Sequence, residues 1–344
     1  MYQEILLPFL VSLVLTLIAT PFAILFARRF HLMDDPKTHK HPAILHTKPV
    51  PRGGGIPLFI GVLVASLLFL PKTEIVFLIL AGAFIAVVVG TIDDKYDLSP
   101  YIRFISNFVV AGLVVFGGVG IQFISNPFGG ILFFNETIAI VLSMFWIVWT
   151  MNMLNWSKGV DGQMPGIAII AAIVIGILSL RFTPLDAQSL LTAKLCFITA
   201  GAGLGFLPFN FYKAKIFPGY GGTILGFLLG TAAILSGAKV ATALLVLGVP
   251  MIDGMFTILR RVAAGRSPFF GDRRHFHHLL LDLGLGHRTI AITYWIFSAV
   301  LGLIALSLSS REKFFAILAL FLAVSGILVW LHLFTQPGNG ERGH

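Results

Sequence analysis

Long apolar stretches alternate with short polar ones along the whole chain. About eleven apolar runs fall near 5–27, 54–71, 74–92, 101–121, 136–155, 164–181, 190–209, 222–237, 239–259, 289–309 and 313–333. Each is close to the ~20 residues a helix needs to cross a hydrocarbon core of ~30 Å. Ten-residue segments of alternating polarity, the mark of a membrane barrel, are absent. The pattern predicts an all-α, polytopic helical membrane protein. It predicts one integral-membrane domain over 1–335 and a short polar tail over 336–344. The run at 101–121, with Arg103 and Asn107 near its start, is the least uniform. The first run follows "MYQE", lacks a basic leader and is long for a signal peptide, so it is expected to be a retained span.

Composition and charge sharpen this picture. The chain is 57% hydrophobic and 11% charged, against about 25% charged in soluble domains. Its net charge of +9 is unevenly placed: alternate loops and the tail hold 18 of the Lys and Arg residues, and the other loops hold 6. By the positive-inside rule the richer set faces the cytoplasm, with the N-terminus outside and the C-terminus inside. The expected location is the cytoplasmic (inner) membrane, with the active face cytoplasmic. The basic excess then serves orientation and anionic head groups, and a nucleic-acid partner is not expected. The single cysteine, Cys196, allows no internal disulfide and reads as a small packed side chain.

The same sorting places Asp93, Asp94, Asp97, Asp161, Asp253, Asp272 and most histidines on the cytoplasmic side. Ionisable groups at membrane depth are costly, so such a cluster at the ends of spans points to function. In "TIDDKYDLSP", Asp93 and Asp97 would share a helix face, and adjacent carboxylates call for a cation, either a divalent ion or a basic side chain. "MNMLNWSKGVDGQMPG" presents Asn155, Lys158 and Asp161 on a glycine-punctuated turn. "FNFYKAKIFPGYGGTILG" places lysines before a Gly-rich helix start, which suits either a phosphate or a plain interfacial loop. In "GRSPFFGDRRHFHH", His275 and His278 would share a face beside His277. Arginines and histidines together suit an anionic substrate or a proton relay better than zinc. The first long loop adds His39, His41, His46, Lys48 and Arg52, with no zinc spacing.

These loops, in this order, resemble the polyprenyl-phosphate N-acetylhexosamine-1-phosphate transferases (the MraY/WecA family), over nearly the whole chain. The resemblance rests on "HTKPVPRGGG", "GTIDDKYDLSP", "NMLNWSKGVDG", "AKIFPGYGGT", "DGMFTILRR" and "GRSPFFGDRRHFHH". It is closest to the branch that uses UDP-N-acetylglucosamine. It implies that an undecaprenyl-type lipid phosphate attacks the β-phosphorus of a UDP-sugar and UMP leaves, with Mg²⁺ as cofactor. Asp93 and Asp94 would be the acidic pair, activating the lipid phosphate or holding metal. Asp161 would bind the nucleotide, Phe217 would stack on uracil, and Asn210 would make a polar contact nearby. His275, His277 and His278 would lie near the phosphates, and Lys48 and Arg52 would form the basic loop. Asn155 and Lys215 complete the expected substrate contacts. Family members can form homodimers, though no dimer face is evident in the sequence.

Two departures from the family pattern stand out. Lys158 occupies a usual aspartate position in "KGVDG". Tyr220 occupies the usual Mg²⁺-ligand aspartate position in "GYGGT". The expectation is that Lys158 stands near Asp93 and Asp94 as a built-in cation and that metal dependence is weakened or lost. The alternatives are an inactive relative acting as a lipid- or nucleotide-binding scaffold, or an ion-coupled transporter. A transporter would carry charges mid-span rather than at span ends.

Overall fold

The computed structural model describes residues 2–37, 46–181, 184–235, 239–269 and 272–334. His39, His41 and the expected polar tail at 336–344 lie outside them. The described chain is helical almost throughout. The helices are α1 (Tyr2–Arg29), α2 (Gly55–Phe69), α3 (Glu74–Tyr96), α4 (Pro100–Phe116), α5 (Glu136–Trp156), α6 (Gln163–Leu180) and α7 (Ala187–Asn210). They continue as α8 (Thr223–Leu235), α9 (Val240–Val246), α10 (Gly248–Ala263), α11 (Phe276–Asp282), α12 (His287–Ser307) and α13 (Ser310–Phe334). Two short 3-10 turns, Ser157–Gly159 and Tyr220–Gly222, and two small antiparallel strand pairs join them. Strands β1 (Met33–Asp34) and β2 (Val50–Pro51) pair with Met33 opposite Pro51; β3 (Phe123–Ser125) pairs with β4 (Ile131–Phe133).

Each of the predicted apolar runs coincides with one helix, except 239–259, which spans α9 and α10. Among the described residues seven helices, α1, α3, α5, α6, α7, α12 and α13, are long and apolar enough to cross a membrane; α9 and α10 form a bent pair, at 82°, that is an eighth if counted as one span. Helices α2, α4 and α8 are apolar but shorter. The chain is therefore a multi-pass helical membrane protein. The predicted run at 239–259 differs most from expectation. The chain breaks at Leu247 between α9 and α10 instead of continuing as one straight helix. Beyond the bend, Asp253 and Arg261 are buried.

Helix α8 is buried on every side, residue by residue. It packs against α3, α5, α7 and α6, as an all-round apolar helix must. Helix α1 packs along α7 and α2, and α6 along α7 and α12. The outer faces of α1, α12 and α13 expose Phe22, Leu303 and Leu322, which suits lipid rather than water. Cys196 is buried and free, as expected of a packing residue.

Candidate active site

The acidic pair sits where α3 ends. Asp97 closes that helix in the left-handed region, its N–H donating to Asp93 O at 2.8 Å; a short polar side chain tolerates this conformation. Ser99 and Pro100 then start α4 as cap and first residue. Arg103, one turn into α4, faces back across the junction. Its Nε donates to Asp93 Oδ1 at 2.5 Å and its Nη2 pairs with Asp97. The N–H of Leu98 also donates to Asp93 Oδ1, at 3.1 Å. Asp93 and Asp97 are thus joined through Arg103 rather than along one helix face. Both Asp93 and Asp94 are buried, at 5% and 4% exposure.

Asp94 is held by the turn before α8. The N–H of Tyr220 donates to Asp94 Oδ1 at 2.9 Å, and Oδ2 is buried without a hydrogen-bond partner. Gly219, at φ 66°, lies so close that any Cβ there would strike the Asp94 carboxylate. Lys158, on the turn after α5, donates to Gly219 O at 3.1 Å. It interacts electrostatically with Asp94 and, less strongly, with Asp93. The Tyr220 ring stands 5.7 Å from Arg103 Cζ and 5.9 Å from Lys158 Nζ. Its hydroxyl donates to Arg103 O at 3.0 Å.

The histidine motif meets the same turn. Gly159 runs beneath His277, and a Cβ at Gly159 would strike that imidazole. His275 precedes α11 instead of sharing a face with His278. Its ring stacks on His277 at 5.6 Å, and His277 contacts His278 at 4.3 Å. His275 Nδ1 is 2.9 Å from Asp253 Oδ2, and Asp253 Oδ1 accepts the Phe276 N–H at 2.8 Å. Burial, and then the neighbouring rings of His278, His275 and His287, push His277 well below the usual imidazole range. Its Nε2 is buried and makes no hydrogen bond. Beside it, Asp272 bridges Arg260 at 2.8 Å and Arg261 at 3.1 Å. Burial acts to raise its carboxyl, but the two guanidinium groups prevail and hold it at about 2.

The third wall carries the nucleotide-type residues. Asp161 Oδ2 accepts the Ala214 N–H at 3.0 Å. Burial pushes Asp161 above the usual carboxylate range, opposed by that hydrogen bond and by His287 and His46. Phe217 is fixed by its N–H to Pro51 O at 2.8 Å and meets His46 edge-on at 5.2 Å. Arg52 pairs with Asp34 across the β1–β2 ribbon at 2.9 Å.

All three walls enclose one cavity of about 1060 Å³. Asp93, Asp94, Lys48, Arg52, Asn155, Lys158, Asp161, Lys215, Phe217, Tyr220, His275, His277 and His278 all line it. Asn210 does not. Its amide instead ties two loops together, accepting from Gly162 N at 3.1 Å and donating to Ile216 O at 2.9 Å. Asn155 lines the cavity with a buried Oδ1 that makes no hydrogen bond.

Sequence comparison agrees with this geometry. A profile of glycosyl transferase family 4 matches residues 76–237. The chain is 32% identical over 329 residues to a Bacillus subtilis (strain 168) protein, covering 93% of this chain and 89% of that one; its name reads "Probable undecaprenyl-phosphate N-acetylglucosaminyl 1-phosphate transferase". It is 32% identical over 345 residues to the decaprenyl-phosphate N-acetylglucosaminephosphotransferase of Mycolicibacterium smegmatis, covering 91% and 83%. It is 28% identical over 318 residues to the undecaprenyl-phosphate alpha-N-acetylglucosaminyl 1-phosphate transferase of Thermotoga maritima, covering 92% and 94%.

The chain belongs to glycosyl transferase family 4. Several residues of this family 4 site have no place among the expected contacts, namely Arg103, Asp253, Arg261, Asp272 and Trp156. Arg103 pairs with Asp93 and Asp253 with His275, while Asp272 holds Arg261 over the Trp156 ring, which lies 5.6 Å from both Arg261 Cζ and His275. Their one sequence mark is their place at span ends on the basic side.

The charge around the acidic pair fits a divalent ion poorly, since Arg103 and Lys158 already stand beside it, although Asp94 Oδ2 has no hydrogen-bond partner. Asp93 Oδ1 and Asp94 Oδ1 already accept protein hydrogen bonds, and Tyr220 turns its hydroxyl away to Arg103 O. Among the described residues no group of three or more His, Cys, Asp or Glu is arranged to hold a metal. Mg²⁺ at a phosphate site is usually held by one or two carboxylates with water and substrate oxygens, so the misfit here is one of charge and of oxygens already engaged.

Proposed function

We propose that this protein transfers a sugar-1-phosphate from a UDP-N-acetylhexosamine to a polyprenyl phosphate, of the undecaprenyl type, and releases UMP. An oxygen of the lipid phosphate attacks the β-phosphorus of the donor. The bond from that phosphorus to the bridging oxygen breaks, and UMP leaves with that oxygen. The single observation carrying this reading is that the acidic pair, Asp161 and the histidine trio line one cavity, joined through Lys158 and Gly159.

The roles follow from chemistry at each wall. Phe217 offers a ring to the uracil face, and Asp161 accepts hydrogen bonds from the nucleoside. Lys48, Arg52 and Lys215 attract the phosphates. The buried Asp94 Oδ2 faces the lipid phosphate as a proton acceptor. Neutral His277 and His275, the latter oriented by Asp253, lie along the diphosphate.

In this reading the eleven apolar segments are all spans, the N-terminus is outside, and the cavity opens on the cytoplasmic face of the inner membrane. Relatives named for polyprenyl-phosphate substrates support the acceptor class. The test is purified protein in nanodiscs with undecaprenyl phosphate and UDP-N-acetylglucosamine or UDP-N-acetylgalactosamine. UMP release that depends on the lipid phosphate is expected. Absence of UMP with every UDP-N-acetylhexosamine overturns the proposal.

A further inference from the structure

We propose that the reaction centre carries its counter-cation in the chain itself: Lys158, with Arg103, takes the electrostatic place of a divalent ion between the acidic pair and the donor diphosphate. This rests on the transferase reading above and specifies how its phosphates are held.

The argument starts from charge. Asp93 and Asp94 bring two negative charges into a buried position. Such a pair is tolerated only with opposite charge close by. Arg103 is hydrogen-bonded to Asp93, and Lys158 lies in the field of both carboxylates. The pair is therefore balanced by side chains. A bound divalent ion would add two further positive charges beside Lys158 and Arg103.

Geometry points the same way. The side chain at 220 presents an aromatic face to both cations, and electrostatic attraction to a ring face favours that placement. Its backbone N–H, not its side chain, serves Asp94. Lys158 is fixed by one hydrogen bond, to Gly219 O. An ammonium has three donors, so two remain for phosphate oxygens. Gly219 has no Cβ to strike the Asp94 carboxylate, so the turn that holds Lys158 lies directly against Asp94. The lysine is thereby placed at the edge of the acidic pair, facing the cavity.

The experiment uses the full-length protein, stripped with EDTA. Chelated wild type should keep its UMP release, and added Mg²⁺ should change it little. Lys158→Ala should lose about 100-fold or more, the scale of removing one preorganised charge contact. Mn²⁺ binding followed by electron paramagnetic resonance gives a second readout, without turnover. Wild type should show no bound Mn²⁺ that Asp94→Asn removes, whereas the double variant Lys158→Asp, Tyr220→Asp should gain one such site.

Loss of UMP release on chelation, restored by Mg²⁺, would overturn the built-in cation and leave the transferase reading standing. A stoichiometric Mn²⁺ site in wild type that Asp94→Asn abolishes would do the same. Absence of UMP in every condition would remove the transferase reading, and the Mn²⁺ comparison of wild type with Asp94→Asn would still decide on the cation. That comparison also suffices if the double variant does not fold.

Discussion

Asp253 Oδ2 lies 2.9 Å from Nδ1 of His275, and the other oxygen of the same carboxylate accepts the N–H of Phe276. One side chain on α10 therefore holds both the ring of His275 and the backbone of the residue that follows it. Asp253→Asn should lower kcat by about 10- to 100-fold, the scale for removing an outer partner of a functional histidine. Nucleotide affinity should hardly change, because Asp161 and Phe217 stand on another wall. Steady-state kinetics together with UMP titration calorimetry separates the two, and a variant with unchanged kcat would contradict the orienting role.

Gly159 and His277 touch so closely that no side chain fits between them. Gly159→Ala should destabilise the protein by about 1–3 kcal/mol, the usual result of forcing a methyl into a packed site. It should also displace His277 and reduce turnover. Thermal unfolding followed by tryptophan fluorescence measures the first effect. An unchanged melting temperature would mean the contact is absent in the protein in solution.

Arg103 bridges two carboxylates, one of them buried. Arg103→Ala leaves Asp93 buried without its partner and should cost about 3–5 kcal/mol. Arg103→Lys should recover little of this, since a single ammonium cannot reproduce two hydrogen bonds from a planar fork. Full stability in the lysine variant, measured by the same thermal scan, would count against the bridging geometry.

Acid should weaken the fold in two steps. His277 is held below its ordinary value, so the unfolded chain takes up a proton first and stability falls as pH drops below about 6.5. Asp272 is held at about 2, below its ordinary value of about 3.9, so its contribution is complete above pH ~4 and disappears as pH falls toward ~2. The Asp272 step should be on the order of 2 kcal/mol, and Asp272→Asn should remove it. Melting temperature against pH for wild type and both single variants, Asp272→Asn and His277→Asn, checks each step separately.

The membrane character was plain in the sequence because hydrocarbon admits few charges, so each helix prints itself as an apolar run. The 82° break at Leu247 was not, since Gly248 and Pro250 occur in spans and in turns alike, and only packing against α5 and α13 decides between them. The acidic pair and the histidines were legible from carboxylates and imidazoles clustered at span ends. Arg103 escaped notice as a partner because its link to Asp93 depends on the reversal at Asp97, whose left-handed conformation is unusual for a non-glycine residue. Asn210 looked like a ligand contact, yet both ends of its amide bind the loops that carry Asp161 and Phe217. An amide at a span end serves either purpose equally well.

Transfer of phosphorus is the heart of the proposal, and a donor labelled with ³²P at the β-position follows it directly. Incubated with undecaprenyl phosphate and the purified protein, β-labelled UDP-N-acetylglucosamine should pass its label to the lipid fraction while UMP appears unlabelled. Asp94→Asn should leave the label in the aqueous donor. Label retained in UDP while sugar alone reaches the lipid, or no labelled lipid with wild type, would contradict the account.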